Sequence, residues 1–340
     1  MSASGQPQVT PERVMQLGWG YAAPLIMEAA VRHGIFDLLD QGPRTLEEIA
    51  GDTGASRRGL RAILNALVGL QLLSKDGGGR YALTPESSAF LVSSRPGYIG
   101  GMLRHASRDL IPRWLSLTET VHTGTNDLAA GHQKSSAEFF HDFVADIMPM
   151  SVAPAKALAE ALRVADAAAP LSVLDVAAGS GVWSIMLAKR SPQVRVTAVD
   201  WPGVLEVTRE MAERFGVADR YTYIGGDLAT ADFGRGHHIA TLGHILHALG
   251  ETGSRALLQK TYDSLGPGGT IAIQEFLVND DRTGPPMALI FAVNMLVGTE
   301  EGDTFSFQEI AGWLREAGFE NARTLDAPGP SPIILANRPA

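Results

Sequence analysis

Gly179 and Gly181 lie in the run Val173-Leu-Asp-Val-Ala-Ala-Gly-Ser-Gly-Val-Trp-Ser-Ile185, and their residue type suits holding a polar ligand against bare backbone. Without a Cβ the chain can approach a ligand closely, and free N–H groups at a helix start favour polar or anionic groups. Asp200 stands nineteen residues after Gly181, at the end of a second apolar run, Val194 to Val199. A carboxylate at the end of a second strand can accept both hydroxyls of a ribose. The chemistry these residues suggest is retention of a nucleoside cofactor. Gly179-Ser-Gly181-Val-Trp-Ser184 is close to the dinucleotide fingerprint, but Ser184 takes the third glycine's place and bulky Trp183 precedes it. That single match is weak, and a nicotinamide cofactor stays a rival reading.

A second set of chemistry-bearing residues follows downstream. It comprises Asp227 in Gly225-Gly226-Asp227-Leu228, His247 in Gly243-His-Ile-Leu-His-Ala-Leu249, and Glu275 at the end of Ile271-Ala-Ile-Gln. A histidine near neutrality can serve as a general base, and a carboxylate on its other ring nitrogen would fix the tautomer. On spacing alone His247 reads equally as core or as site. Glu275 follows an apolar strand, where a buried carboxylate without a task is costly. His244 and His247, with His237 and His238, raise the idea of a metal. No carboxylate pattern accompanies them, so no metal is expected. His237 and His238 follow a glycine-rich turn and are expected at the surface.

The elements that must position these residues are legible as alternation. From Pro170, strand-like runs (172–176, 194–199, 221–225, 238–243, 270–275, 333–336) alternate with helix-like runs (184–189, 204–215, 253–265, 307–317). Such alternation predicts an α/β fold, a doubly wound, mostly parallel sheet. Before it, Pro11 to Leu39 carries apolar residues at helical spacing. Thr45-Leu-Glu-Glu48 is a capping-box start, and Ser56 can cap a helix with the face Leu60, Ile63, Leu64, Leu67, Leu70. Leu72-Leu-Ser74 and Arg80-Tyr-Ala-Leu83 flank a glycine-rich turn, giving a hairpin. Helix-turn-helix plus hairpin is a winged helix. Residues 84–170 read as further helices, with Pro149 and Pro154 expected to kink or interrupt the longest. The expected division is a helical winged-helix domain over 1–105, a helical connector over 106–169 and a cofactor domain over 170–340.

The bulk numbers bound the function. The chain has 340 residues, 45% hydrophobic and 19% charged, enough to bury a sizeable core. A net charge of −9 argues against nucleic acid, because duplex affinity rests on neutralising phosphates. Arg57, Arg58 and Arg61 alone are a thin electrostatic footprint for DNA binding, which remains the rival from a different class. The absence of cysteine excludes disulfides and thiolate chemistry. No signal-peptide pattern and no run of ~18 apolar residues is present, so a cytoplasmic protein without membrane attachment is expected.

Taken in order, these motifs resemble those of the S-adenosylmethionine-dependent small-molecule O-methyltransferases, of the plant caffeate/isoflavone and bacterial polyketide types. The resemblance covers nearly the whole chain and implies a Rossmann-like class I methyltransferase domain behind a dimerisation domain. It implies S-adenosylmethionine as cofactor, an aromatic hydroxyl as acceptor and a homodimer. Asp175-Val-Ala177-Ala-Gly179-Ser-Gly181 matches the loop along the cofactor's amino-acid end, and Asp200 the ribose carboxylate. Trp201 matches a position against adenine, and Gly226, Asp227 and Leu228 those beside its amino group and ring. His247 matches the general base and Glu275 a carboxylate flanking it. Phe143 and Met148 on one helix and Phe291, Asn294 and Met295 on another match the regions lining the acceptor pocket. The chain also departs from the pattern. Ala177 and Ala178 replace loop glycines, so left-handed dihedrals are not expected there. Ala248 replaces an acid after the base, Thr304 a second flanking carboxylate, and Gly243 a lysine near adenine. These departures keep open a relative that retains the cofactor but performs non-methylating chemistry.

Overall fold

A computed structural model describes residues 9–125, 132–329 and 331–340, and the chain divides into two compact units, Met1–Ile111 and Pro112–Ala340. In the first unit, the Pro11–Leu39 spacing resolves into three helices, Glu12–Gly18, Ala22–Arg32 and Ile35–Asp40. The first buries nothing, and Val14, Leu17, Trp19 and Tyr21 are exposed. Thr45 and Glu48 make the reciprocal capping box, and Ser56 caps Arg57–Gly69 through the Gly59 N–H at 3.1 Å. Leu60, Leu64 and Leu67 are fully buried, whereas Leu70 is exposed. Strands β1 (Leu73–Lys75) and β2 (Tyr81–Leu83) form the antiparallel hairpin.

The second unit is a seven-stranded sheet in the order β5-β4-β3-β6-β7-β9-β8. The strands are β3 (Leu171–Val176), β4 (Val194–Asp200), β5 (Tyr221–Gly225), β6 (His237–Gly243), β7 (Leu265–Gln274), β8 (Glu320–Leu325) and β9 (Ile333–Asn337). All neighbours are parallel except β9, which runs antiparallel to both β7 and β8. Successive strand residues alternate between two cores. Val173, Val196 and Ile239 face the layer that includes α1 (His132–Ala161) and α2 (Val182–Arg190). Leu174, Val176, Leu242 and Ile273 face α4 (Leu246–Ser264) and α6 (Phe307–Glu316), with α3 (Pro202–Arg214) and α5 (Pro286–Gly298) completing the unit. The strand order reverses beside β3, so the carboxyl ends of β3, β4 and β6 open onto the crevice where such sheets bind ligands.

Three expectations are corrected. The helix α1 runs through Pro149 and Pro154 without interruption. Each proline costs about 3 kcal/mol in an isolated helix, but α1 packs along α2 and α3, and buried Ala155, Leu158 and Ala159 offset that cost. Ala177 does adopt a left-handed conformation, φ 53°. It is held there because Ala178 N–H donates to Val199 O (3.2 Å) and Gly181 N–H to Ala178 O (2.7 Å). His237 is not at the surface but 6% exposed, its Nε2 donating to Phe233 O (2.8 Å) and its Nδ1 facing Ser172 Oγ (2.8 Å); neighbouring His238 is exposed. No helix among the described residues is long and apolar enough to cross a membrane.

Candidate active site

The glycine loop leaves β3 at Val176 and enters α2 at Val182, with Gly179 at φ 56° and Gly181 at φ 72°. At Gly181 a Cβ would lie 2.9 Å from Thr208 Cγ2, so only glycine satisfies both the dihedral and the packing. Asp175 lies behind the loop rather than in its mouth. It is 1% exposed, and its carboxylate accepts from Ser184 Oγ and from Thr241 Oγ1 (2.7 Å). Tyr221 Oη adds a bond to Ser184 Oγ (3.0 Å). This network ties β3, β5 and β6 to the first turn of α2. Burial raises the Asp175 carboxyl to about 6 against the bonds from Ser184 and Thr241.

Asp200 closes β4 at the crevice. Its Oδ2 accepts the Gly179 N–H (2.9 Å) and its Oδ1 the Trp201 N–H (2.7 Å). One carboxylate thus fixes the loop and the start of α3 while keeping lone pairs for a ligand's hydroxyls. Burial pushes it up to about 6, against those two amides. Trp201 is half-buried beside it. Gly226 N–H donates to Asp200 O (3.0 Å), which places the Asp227–Leu228 turn next to Asp200; the Asp227 side chain is exposed. Lys260 Nζ braces that turn by donating to Leu228 O (2.7 Å) and Ala229 O (3.0 Å).

At the end of β6, Gly243 and Trp183 fit as a pair. A Cβ on Gly243 would sit 2.1 Å from Trp183 Nε1, and Trp183 is only 5% exposed. The indole occupies the space that any side chain at 243 would need.

His247 and Glu275 meet at the start of α4. His247 Nδ1 and Glu275 Oε2 are 2.7 Å apart, while Glu275 Oε1 accepts the Leu246 N–H (2.7 Å) and the His247 N–H (3.3 Å). Burial works to raise the Glu275 carboxyl. The His247 ring beside it, through its charge when protonated and through its hydrogen bond, outweighs burial and holds the carboxyl below the usual carboxylate range. An ionised Glu275 accepts only, so His247 Nδ1 carries the hydrogen and Nε2 is left as a lone pair. Phe291 meets the His247 ring edge-on at 4.9 Å. Phe276, unnoticed in the sequence although adjacent to Glu275, packs on His244 (4.9 Å) and on Phe291 (4.2 Å). His244 precedes α4 in a left-handed conformation, φ 60°, and burial lowers its pKa.

The remaining expected residues separate. Asn294 Oδ1 accepts the Trp114 indole N–H (3.1 Å), a partner the sequence reading missed. Met295 is buried on α5, Phe143 half-buried on α1. Met148 is buried in the core cluster with Leu158 and Val182. Phe139 lies outside the side chains that the structure describes. Thr304 is 1% exposed, with a hydroxyl that finds no partner among the described residues.

This geometry can be compared with known proteins. Residues 15–93 match the O-methyltransferase dimerisation domain, and residues 114–320 the O-methyltransferase domain. The chain belongs to the O-methyltransferase family. The methyltransferase is 29% identical over 97% of both chains to the tetracenomycin polyketide synthesis 8-O-methyl transferase TcmO of Streptomyces glaucescens. It is 30% identical to 3-hydroxy-5-methyl-1-naphthoate 3-O-methyltransferase of Streptomyces sahachiroi, over 98% of this chain and 97% of that one. Among solved structures, PigF with SAH superposes with a TM-score of 0.83 at 25% identity, over 97% of this chain and all of that one. The enzyme is thus a class I, S-adenosylmethionine-dependent methyltransferase. Its own residues fit that cofactor, since Asp200 is pinned by two amides at a glycine loop whose turns admit no Cβ at Gly181.

Proposed function

We propose that this methyltransferase transfers a methyl group to the hydroxyl of an aromatic small molecule, phenolic or polyketide-like, with His247 as general base. The observation that carries the reading is the buried Glu275–His247 pair, which leaves an acceptor lone pair on Nε2. S-adenosylmethionine, when bound, supplies an electrophilic methyl on a sulfonium. A phenol has a pKa of ~10, so little phenolate exists at neutral pH. His247 Nε2 takes that proton, and Glu275 stabilises the imidazolium through Nδ1–H. Phe276 and Phe291 wall the base with aromatic surface that suits a flat acceptor. Phe143, Asn294 and Met295 are assigned to the same wall. The names of the two Streptomyces relatives, polyketide and naphthoate methyltransferases, favour the same acceptor class.

For the cofactor, Asp200 takes the ribose hydroxyls, and the backbone from Ala177 to Gly181 follows the amino-acid end. Trp201 and Leu228 lie against adenine, with Gly226 and Asp227 beside its amino group. Asp175 acts from behind, holding the loop through Ser184. The N-terminal unit, matching a dimerisation domain, supports a homodimer.

Incubation with S-adenosylmethionine and a panel of naphthols and polyketide phenols tests the acceptor. The expected product is an aryl methyl ether with equimolar S-adenosylhomocysteine; consumption of a phenol without S-adenosylhomocysteine would point to non-methylating chemistry instead. Asp200→Ala is expected to weaken cofactor binding by ~1–3 kcal/mol through lost charge-assisted hydrogen bonds; unaltered calorimetric affinity would remove Asp200 from the site. Cofactor affinity should also depend on pH. The free Asp200 carboxyl, raised to about 6, takes up a proton as pH falls through that value. The ligand's hydroxyl donors favour the ionised form, so affinity is expected to be level above ~7 and to decline below ~6. A flat calorimetric profile across that range would contradict it.

A further inference from the structure

His244 plays no part in the proton transfer described above, and its placement is unusual. The Gln274 side-chain amide donates from Nε2 to Ser331 O at 3.0 Å, which turns Gln274 Oε1 toward His244 Nε2, also at 3.0 Å. An amide oxygen only accepts, so His244 Nε2 carries the ring hydrogen and Nδ1 presents a lone pair. That Nδ1 is buried and has no hydrogen-bond partner among the described residues. It faces Glu275 Oε2 at 4.0 Å. Two electron-rich atoms therefore oppose one another across a gap with nothing positive between them. His247 Nδ1 lies on the same carboxylate oxygen at 2.7 Å, and one ligand atom from each of the three residues lies within 4.8 Å of the others.

We propose that His244, Glu275 and His247 form an inhibitory site for a borderline divalent cation, Zn²⁺ by its ligand chemistry. Zinc binds imidazole nitrogen at about 2.0–2.1 Å and carboxylate oxygen at about 2.0–2.2 Å, so one ion spans the His244–Glu275 gap with sub-ångström adjustment. Two imidazoles and one carboxylate form a recognised zinc set that leaves a fourth position for water. Magnesium and calcium prefer oxygen ligands and are not expected to bind. The side chain of His244 is 25% exposed, whereas its Nδ1 on the gap is buried. The consequence for catalysis rests on the reading of His247 as the base. When His247 Nδ1 becomes a zinc ligand, its hydrogen leaves that atom and a neutral ring carries it on Nε2 instead. The proton is conserved within the ring, and the atom that must accept the substrate's proton becomes a donor.

Two measurements separate the site from the base. Zinc affinity of the whole enzyme, without substrate, is read by competition with a chromogenic chelator, in wild type and in His244→Ala and His244→Gln. One zinc per chain is expected, with a loss of about 10–100-fold in affinity in both variants. Equal affinity in all three proteins, or no binding, overturns the proposal; a misfolded variant is recognised by loss of S-adenosylmethionine binding, and the other then decides. The second measurement is turnover against ZnCl2, with MgCl2 and EDTA as controls. Zinc is expected to stop methyl transfer reversibly, with an inhibitory concentration about tenfold higher or more in the His244 variants. Tight, His244-dependent binding that leaves turnover untouched would keep the metal site and overturn its inhibitory role, together with the reading of His247 as the base.

Discussion

Exchange of His247 for glutamine is expected to cut kcat by about 10²–10⁴ while changing S-adenosylmethionine affinity by less than about twofold. The magnitude is what a positioned general base contributes, and the split between the two readouts follows from position. Gly179, Gly181 and Asp200, the residues proposed to hold the cofactor, are positioned by the ends of β3 and β4, whereas His247 is held by Glu275 and its own helix turn. Nothing in the first set depends on the imidazole. Glu275→Gln should be nearly as damaging for a different reason. The glutamine amide can present an N–H toward His247 Nδ1, which favours the tautomer with hydrogen on Nε2 and removes the acceptor lone pair. Glu275→Asp keeps the charge and should retain part of the activity. Steady-state methylation with calorimetry on the same preparations checks all three. Unchanged turnover in His247→Gln would remove the base from the mechanism, and a parallel collapse of cofactor affinity would show a structural role instead.

The sheet and the site are legible in this sequence to different depths, for physical reasons. Central strands β3, β4, β6 and β7 each carry a buried apolar stretch because both sheet faces are covered, and such stretches stand out. Strand β8 (Glu320–Leu325) goes unseen because it is an edge with mostly exposed residues, Glu-Asn-Ala-Arg-Thr-Leu, and no alternation. Helix α4 begins at Leu246 rather than at Gly253: a short first turn carrying His247 precedes a kink at Gly250, φ 66°, which separates it from the longer helical stretch. Asp200 is readable from its place at a strand end. The His247–Glu275 pair is not readable from spacing, because it joins positions 28 residues apart through the β6–β7 pairing. Phe276 and Trp114 escape for the same reason: they gain meaning only from partners that the fold supplies, Phe291 and Asn294. His237 looks like a surface histidine until Ser172 and the Phe233 carbonyl take up both its nitrogens. Ala177 shows the limit of residue-type rules, since two backbone hydrogen bonds beside it hold alanine where glycine is usual.

Gly243→Ala is expected to destabilise the enzyme by ~1–3 kcal/mol, the usual range for overpacking a filled core. The added methyl would fall 2.1 Å from Trp183 Nε1, closer than any real contact. Neither side yields easily. Gly243 is paired with Gln274 at the end of β6, and Trp183 lies in the first turn of α2 among Val182, Ile185 and Met186, all buried. Trp183→Ala empties the space instead, with an expected cost of ~3–5 kcal/mol. The double variant decides whether the two positions are one feature. In it, the methyl at 243 enters the volume vacated by the indole. The double cost should therefore stay close to that of Trp183→Ala alone, a coupling of ~1–3 kcal/mol that denaturant unfolding can read. Additive costs would show that the contact relaxes without penalty. The pair also reaches the glycine loop proposed to hold the cofactor. Trp183 neighbours Ser184, whose hydroxyl holds Asp175, and the same turn begins at Gly181. Displacement of the indole by Gly243→Ala should thus weaken S-adenosylmethionine binding as well, and the double variant, with the turn free to return, should recover part of that affinity.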